Sequence, residues 1–395
     1  MATPKLRFPA FEEKWNKQRL DSFLERVSNP IDVIPNKKYS QIGIRSHGKG
    51  IFHKEAVTGE ELGNKRVFWV EPNALVVNIV FAWERAIAVT SDAEKGMIAS
   101  HRFPMYLPKN NLSNVNFLRY LFVTDKGQSY LELASPGGAG RNKTLGQSNF
   151  AELKIDLPSL EEQTKIATFL SIVDEKISQL SQKLHLLGQY KQGMMQKLFN
   201  QQIRFKADDG SEFGEWGEQK LGEVSTTFSG GTPQSTNKVF YQGTIPFIKS
   251  GEISQKTTEQ FINEIALKSS SAKLVQKGDL LYALYGATSG QVAISQIDGA
   301  INQAILCIRS NLNTLYLLNF FLLKKDSILS TYLQGGQGNL SAAILKEILV
   351  PIPCLEEQTK IANFLSSIDQ KIDVVSEQLE QAKLWKKGLL QQMFV

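Results

Sequence analysis

Apolar residues recur at heptad spacing in two long stretches of the chain. In the first stretch, alternating steps of three and four residues separate Leu170, Val173, Ile177, Leu180, Leu184 and Leu187. The second stretch repeats the same steps at Leu365, Ile368, Ile372, Val375, Leu379 and Ala382. An apolar stripe of this kind predicts a long helix that packs against a partner helix in a coiled coil.

Both stretches belong to an internal repeat. Residues 157–199 and 352–394 align without a gap at a shift of 195 residues (352 minus 157), and both contain the sequence Leu-Glu-Glu-Gln-Thr-Lys-Ile-Ala. Weaker similarities follow in the same order in both halves. Among them are Gly137-Gly138-x-Gly140 and Gly335-Gly336-x-Gly338, which predict sharp turns. The chain is therefore organised as domain, helix, domain, helix.

The repeat also predicts the domain boundaries and the architecture. We place globular domains at residues 1–157 and 201–351, and long helices at 158–200 and 352–395. About 40 helical residues at 1.5 Å each give a length of about 60 Å. We predict an α+β fold in which two long helices, packed as an antiparallel coiled coil, separate the two domains with pseudo-twofold symmetry. The simpler alternative is that the helices are only a spacer.

Turn residues separate short apolar runs within the predicted domains. VFWVEPNALVVNIVFAW, interrupted at Pro72-Asn73, predicts strand, turn and strand, and GDLLYALYGATSGQVAISQIDGAINQAI predicts three short strands with glycine turns between them. The segments FLRYLF and LYLLNFFLLKK predict apolar helices near the end of each domain. Both domains are therefore expected to mix strands and helices.

Polar residues at the start of each long helix are also repeated. Ser159 with Glu162 predicts a capping box, whereas the second copy has Cys354 in place of the serine. Because polar positions outside the apolar stripe are the same in both copies, we predict that they bind a partner protein. These positions are Glu161, Glu162, Gln163, Lys165, Glu356, Glu357, Gln358 and Lys360.

The charge balance and the polar loops favour DNA as a partner. The net charge of +6 weakly favours a polyanion, because lysine and arginine release counterions from phosphates. Clustered side chains that suit contacts with bases and phosphates strengthen this interpretation. The candidates in the first domain are Lys37, Lys38, Arg45, Ser46, His47, Lys49, His53, Lys54 and Arg66. Those in the second are Ser229, Gly230, Gly231, Thr232, Lys238, Lys249, Ser250, Tyr285, Thr288, Ser289, Gln291, Asn302 and Gln303.

Motifs for catalysis and metal binding are weak. Gly43-x4-Gly48-Lys49 approaches a phosphate-binding loop, but Gly50 stands where a magnesium-binding hydroxyl belongs. Asp174-Glu175-Lys176 resembles a nuclease set, although its place on the heptad helix favours a solvated helix face. The histidines and cysteines lack metal-ligand spacing, so we predict no catalytic residue and no metal site.

The cysteines and the apolar runs indicate the compartment. Cys307 and Cys354 lie in apolar sequence and are predicted to be buried thiols in a reducing cytosol. Charges near the N-terminus argue against a signal peptide, and the apolar runs are too short to span a bilayer. We therefore expect a cytoplasmic protein with no membrane contact.

The repeated sequence resembles a known family. Pro-x-Leu-Glu-Glu-Gln-Thr-Lys-Ile-Ala at 158–167 and 353–362, together with Ser-Gly-Gly-Thr-Pro at 229–233, is similar to the specificity subunit of Type I restriction-modification systems. The resemblance implies that each domain is a target recognition domain for one half of a bipartite, asymmetric site on double-stranded DNA, with the helices setting a fixed spacer. It also implies a non-catalytic chain that directs adenine methylation and restriction by its partner subunits.

The same resemblance implies the partners and cofactors. Two modification (methyltransferase) subunits and two restriction (translocase and nuclease) subunits would assemble with the chain. S-adenosylmethionine, ATP and magnesium would be used by those subunits, and this chain would bind no cofactor. Two alternatives remain: an enzyme such as a nuclease with an unrecognised site, and a coiled-coil adaptor that binds only protein.

Overall fold

The computed structural model describes residues 4–137, 143–333 and 340–394. Apart from Gly137, the predicted Gly-Gly-x-Gly turns lie outside the described residues. The chain forms two compact units, the first made of Met1–Ser181 with Glu377–Val395 and the second of Gln182–Ser376. Each long helix therefore contributes residues to both units.

The first unit has a mixed α+β structure. Its described strands are β1 (Asn16–Arg19), β2 (Leu24–Val27), β3 (Lys38–Ile44), β4 (Ile51–Thr58), β5 (Val67–Trp69), β6 (Leu75–Val77), β7 (Ile87–Val89), β8 (Ile98–Ser100), β9 (Met105–Pro108) and β10 (Lys154–Leu157). Its helices are α1 (Leu20–Phe23), α2 (Gly59–Leu62), α3 (Val115–Phe122), α4 (Asp125–Leu133), α5 (Gln147–Glu152) and the start of α6 (Leu160–Phe199), with 3₁₀ turns at Ala82–Glu84 and Asp92–Glu94.

The second unit contains a matching series of elements. Its described strands are β11 (Gly217–Lys220), β12 (Ser225–Ser229), β13 (Ile245–Ile248), β14 (Phe261–Ile262), β15 (Lys273–Val275), β16 (Leu280–Ala283), β17 (Val292–Ile294), β18 (Gly299–Ile301), β19 (Ile305–Ser310) and β20 (Leu349–Ile352). Its helices are α7 (Leu221–Val224), α8 (Glu264–Lys268), α9 (Thr314–Leu333), α10 (Ala342–Lys346) and the start of α11 (Leu355–Met393), with a 3₁₀ turn at Lys238–Tyr241.

The strand order of one unit repeats in the other. The first unit has sheets β1-β10, β2-β9-β6-β7 and β4-β3-β8-β5, and the second has β11-β20, β12-β19-β16-β17 and β14-β13-β18-β15. The parallel pair β3–β8 of the first unit also has an equivalent in the second unit, the parallel pair β13–β18. The internal repeat therefore extends through both domains, although most of their sequence has diverged.

The predicted strands and apolar helices are confirmed, although β6 ends at Val77 and a 3₁₀ turn follows at Ala82–Glu84. Strands β5 and β6 lie on either side of Pro72-Asn73, where Asn73 has a φ of +56°. The three strands predicted in the second domain are β16, β17 and β18, and the two apolar segments lie in α3 and α9. The turn residues predicted the positions of these strands because the connections between the strands are short.

Helices α6 and α11 confirm the heptad prediction. Each predicted stripe position is buried or half-buried. In the first unit, Asp174 of α6 pairs with Lys386 of α11. In the second unit, the Lys191 Nζ of α6 lies 2.6 Å from the Asp369 Oδ1 of α11. A residue in the first half of α6 thus pairs with the second half of α11, and a residue in the second half of α6 pairs with the first half of α11. The two helices are therefore antiparallel.

The core of each unit includes part of both helices. In the first unit, Leu170 and Val173 of α6 share a buried cluster with Leu389 and Met393 of α11. In the second unit, Leu198 of α6 belongs to a buried cluster with residues of α11, among them Ile361, Leu365 and Ile368. The packing of the two helices therefore continues into the core of each domain. Helices that served only as a spacer would not need these contacts.

Two local predictions were wrong. The Ser159 Oγ accepts a hydrogen bond from the Glu162 backbone N–H at 3.3 Å, but the Glu162 carboxylate binds Arg7 and does not complete a capping box. Cys307 is buried as predicted, whereas Cys354 is exposed. Cys354 directly precedes α11, at the position that Ser159 occupies before α6, and such cap positions face solvent.

Candidate nucleic-acid interface

Strands β3 and β4 of the first unit form a hairpin whose tip carries predicted DNA contacts. The Arg45 N–H donates to the Gly50 carbonyl at 3.0 Å and closes the tip. His47 and Gly48 both have positive φ values, +60° and +65°. Their N–H groups donate to the carbonyls of Glu84 at 2.7 Å and Arg85 at 2.9 Å. The tip is therefore held in one conformation from both sides.

Eight of the nine candidates in the first unit are exposed, and Ser46 is half-buried. The prediction placed them on turns, but Lys38 lies in β3, and His53 and Lys54 lie in β4. Strand β4 is at the edge of its sheet, so its side chains reach solvent without a turn. The candidates consequently follow the hairpin tip and the adjoining edge strand.

Several of these side chains are held by neighbours. The Lys37 Nζ lies 5.5 Å from the centre of the Trp69 ring, and the Ser46 Oγ donates to Glu84 at 2.8 Å. The His53 Nε2 lies 2.8 Å from a carboxylate oxygen of Glu94. Burial acts to raise the pKa of Glu94, but hydrogen bonds from His53 and Ser91 outweigh it and hold that pKa below its usual range. A carboxylate thus fixes the histidine on the exposed strand.

In the second unit, a cavity with both polar and apolar walls brings together candidates that are distant in sequence. The cavity has a volume of about 380 Å³, and its lining includes Thr232, Lys238, Lys249 and Asn302. Gln303 lies beside it and accepts a hydrogen bond from the Thr232 Oγ at 2.6 Å. Ser235, Tyr241 and Gln260 also line the cavity, and sequence reasoning missed them. Ser235 lies within the polar loop Ser229–Lys238, which was the one available signal.

A buried carboxylate fixes the backbone beside Lys249. Glu252 accepts hydrogen bonds from the backbone N–H groups of Lys249 at 3.0 Å and Glu259 at 2.9 Å, and from the Thr258 hydroxyl at 3.0 Å. Burial acts to raise the pKa of Glu252, but these donors outweigh it and lower the pKa. The loop that presents Lys249 is therefore ordered by an ionised side chain.

We expect Glu252→Gln to lower the free energy of unfolding at pH 7 by about 1–2 kcal/mol, because charged acceptors form the stronger hydrogen bonds. A carboxylate with a lowered pKa stabilises the fold above its unfolded-state pKa, and this contribution is lost as pH falls through the folded-state pKa. Urea unfolding at pH 7 and between pH 5 and 3 should therefore show a smaller acid dependence in the variant. Equal pH dependence in both proteins would contradict this role.

Four of the other candidates of the second unit have roles inside the fold, whereas Gln291 is exposed and Ser229, Ser250 and Thr288 are half-buried. A Cβ on Gly230 would lie 1.8 Å from the Ile301 carbonyl oxygen, and one on Gly231 would lie 2.6 Å from the Ser271 Cβ. These glycines therefore allow close packing of the loop. The turn between β16 and β17 is also separate from the cavity. There, the Ser289 hydroxyl donates to the Leu284 carbonyl at 3.0 Å, and Tyr285 packs against the buried core.

Comparison with known proteins identifies the family. The sequence profile described as the Type I restriction modification DNA specificity domain matches residues 72–187 and 214–384, one segment in each half. The chain belongs to this family. This specificity subunit is 31% identical over 98% of its length to the Type I restriction enzyme MjaVIII specificity subunit of Methanocaldococcus jannaschii, of which 92% is covered. Its role is sequence recognition on DNA within a restriction-modification system.

Solved structures confirm the fold of the specificity subunit. The S subunit of a Type I restriction-modification system from M. genitalium matches with a TM-score of 0.63 at 17% identity, over 100% of this chain and 99% of that one. A structure reported for complex assembly and conformational transition of the type I R-M system matches with a TM-score of 0.57 at 18% identity, over 97% and 98% of the two chains.

The repeated Glu-Gln pairs of the specificity subunit are buried inside the chain. Glu162 accepts two hydrogen bonds from the Arg7 guanidinium, at 2.7 and 2.8 Å. Glu357 accepts two from Arg204, at 3.0 and 2.7 Å, and a third from the Trp216 Nε1 at 2.8 Å. Their identity in both copies is therefore explained within each unit, without a partner protein.

The adjoining glutamines attach each domain to its helix. Gln163 accepts from the Asn114 N–H at 2.9 Å, and Gln358 accepts from the Asn313 N–H at 2.8 Å. Asn114 precedes α3 and Asn313 precedes α9, so the two contacts are equivalent. Of the eight predicted partner-binding residues, Glu161, Lys165 and Glu356 are exposed, Lys360 is half-buried, and Lys360 pairs with Asp208.

The described residues also bear on catalysis and membrane contact. Within residues 4–137, 143–333 and 340–394, the side chains of His, Cys, Asp and Glu form no group of three or more able to hold a metal ion. Asp174 was predicted to be solvated but is half-buried, accepting from the Tyr120 hydroxyl at 2.7 Å. No helix in these same segments is both apolar enough and long enough to span a bilayer.

Proposed function

We propose that each unit of this specificity subunit recognises one half of a bipartite, asymmetric DNA site. The observation that carries the proposal is the combination of one strand order with two different polar surfaces. The first unit exposes a basic hairpin, whereas the second has a cavity lined by hydroxyl, amide, lysine and aromatic side chains. Arginine, lysine, asparagine and glutamine are the side chains that distinguish bases in the major groove. Two unlike surfaces on one fold suit two different half-sites.

The chemistry is proposed to reside in partner subunits. Two modification subunits would supply adenine methylation with S-adenosylmethionine, and two restriction subunits would use ATP and magnesium, all in the cytoplasm. The repeat supports paired partners, because Glu161 and Glu356 are exposed at equivalent helix starts. We also propose a fixed number of unrecognised bases between the half-sites, as the family resemblance implies.

Mapping methylated adenines tests this function directly. The chain would be co-expressed with the modification subunit of its host, and the host DNA would be sequenced by a single-molecule method that detects N6-methyladenine. We expect a two-part, non-palindromic motif that disappears when the chain is omitted. A continuous motif, or methylation that does not depend on the chain, would overturn the proposal. Cleavage of DNA by the purified chain with magnesium would favour the nuclease alternative.

Single lysine variants separate the contributions of the two units. We expect Lys49→Gln and Lys249→Gln each to weaken binding to the mapped site by up to about eightfold at 0.1 M salt and to reduce the log–log salt slope by about 0.9, the value for one phosphate contact. Fluorescence anisotropy with a labelled duplex measures both quantities. Lys371→Gln, an exposed lysine of α11, is the matched control. A variant that behaves like this control removes its lysine from the interface.

A further inference from the structure

A second basic surface lies in the first unit, beside the hairpin tip. It is a cavity of about 620 Å³, and its lining residues include six lysine and arginine residues but two aspartates. His47 and Gly48 of the tip form one side, Arg119 of α3 and Asp174 of α6 lie within it, and the end of α11 closes the other side. A cavity with this excess of cations attracts anions.

Some of these cations are held by the fold itself. Arg85 donates to Gln128 at 2.8 Å and to Asp125 at 2.8 Å. Lys386 and Arg119 both pair with Asp174. Burial acts to raise the pKa of Asp174, but hydrogen bonds from Lys386 and Tyr120 outweigh it and lower the pKa. These groups form the structural base of the cavity.

The fold constrains the side chains of Lys383 and Lys387 much less. Both side chains are exposed on the last turns of α11. The Lys383 Nζ lies 2.7 Å from Glu380, three residues earlier on the same exposed face, and such surface pairs contribute little free energy. Their ammonium groups can therefore turn towards an anion in the cavity at small cost.

Comparison with the second unit shows which lysines of the cavity are present only in the first unit. Lys386 is equivalent to Lys191, and both form the same ion pair with an aspartate of the other long helix. Lys383 and Lys387, in contrast, correspond to Gly188 and Gln192. A partner that docks equally on both repeats would need the same charges in both copies. The two extra lysines are therefore a feature of the first unit alone.

We propose that this cavity binds backbone phosphates of the DNA next to the half-site that the hairpin recognises. The inference rests on the proposed function and adds a contact that is independent of base sequence. The positions support it, because His47 belongs both to the predicted recognition tip and to the cavity wall. Lysine ammonium groups on flexible stems suit phosphate contacts that fix position without selecting bases.

The test uses the full chain and a labelled 30-base-pair duplex of arbitrary sequence. Lys383→Gln and Lys387→Gln are combined, and binding is measured by anisotropy over a range of salt concentrations. We expect the log–log salt slope to fall by about 1.8 and the affinity at 0.1 M salt to fall about tenfold or more, as for two lost phosphate contacts. The control combines Lys176→Gln with Lys371→Gln, which removes the same charge from exposed, equivalent helix positions outside the cavity.

The outcomes distinguish this inference from the proposed function. If the cavity variant matches the control while Lys49→Gln weakens binding, the cavity site is excluded and the proposed function stands. If the unmodified chain shows no salt-dependent DNA binding, both fail. Poly-glutamate serves as a second probe, and a loss of its binding without a loss of DNA binding would assign the cavity to an acidic protein instead. Far-UV circular dichroism confirms that each variant is folded.

Discussion

Replacing Arg204 with alanine is expected to lower the free energy of unfolding of the second unit by about 3–5 kcal/mol, because it leaves a buried carboxylate without its counterion. The Glu357 side chain is 0% exposed, and Arg204 supplies two of its hydrogen bonds. After the substitution, the Trp216 Nε1 is the donor that remains. Urea unfolding followed by circular dichroism measures the loss.

Two controls make this prediction specific. Lys206→Ala removes a cation from an exposed ion pair, Lys206–Glu212 at 2.7 Å, and should destabilise the fold much less than Arg204→Ala. Adding Glu357→Gln to Arg204→Ala removes the unpaired charge and should recover part of the stability. If Arg204→Ala costs no more than Lys206→Ala, the buried ion pair is not what joins this segment to α11.

Introducing aspartate into the helix pair is the second change with a large expected effect. Ile177 of α6 packs against the core of the first unit, and Ile372 of α11 packs against that of the second. A carboxylate at either half-buried position would lose hydration without gaining a partner. We expect Ile177→Asp and Ile372→Asp each to lower the free energy of unfolding by about 2–4 kcal/mol.

The neighbouring exposed lysines provide the matched controls for this experiment. Lys176→Asp and Lys371→Asp introduce the same side chain one residue earlier on each helix, where solvent is available. They should change stability by less than about 1 kcal/mol. Thermal denaturation and methylation mapping report stability and function together. Unchanged stability and an unchanged DNA motif in both isoleucine variants would refute the coiled-coil interpretation of the heptad stripe.

The long helices could be predicted from sequence because their stripe is a local, periodic signal. The prediction at 158–200 agrees closely with α6 at Leu160–Phe199. The burial of Glu162 could not be predicted, because its partner Arg7 lies 155 residues away in sequence. Two identical charged residues on a helix suggested a protein partner, whereas the cause was an ion pair made once in each unit. Local patterns carry no information on such distant pairs.

The candidate DNA contacts could also be predicted only in part from local sequence patterns. Clustered basic residues predicted DNA contacts at Arg45 and Lys49; both side chains are exposed, and the contacts themselves stay a prediction. In the loop at 229–233, however, the composition did not distinguish side chains that face solvent from a glycine, Gly230, that packs against the Ile301 carbonyl. The basic cavity was missed because its wall combines the hairpin tip with the end of α11, and only comparison of the two repeats would have shown Lys383 and Lys387 as additions.

The pairing of the first and last strand of each domain bears on how a domain could be replaced during evolution. Strand β1 pairs with β10 from Asn16 opposite Leu157, and β11 pairs with β20 from Gly217 opposite Ile352. Each domain thus begins and ends at adjacent points beside its helix. Exchange of such an insert as a cassette would have to preserve this strand pair, the domain's contact with Gln163 or Gln358, and its packing against the long helices.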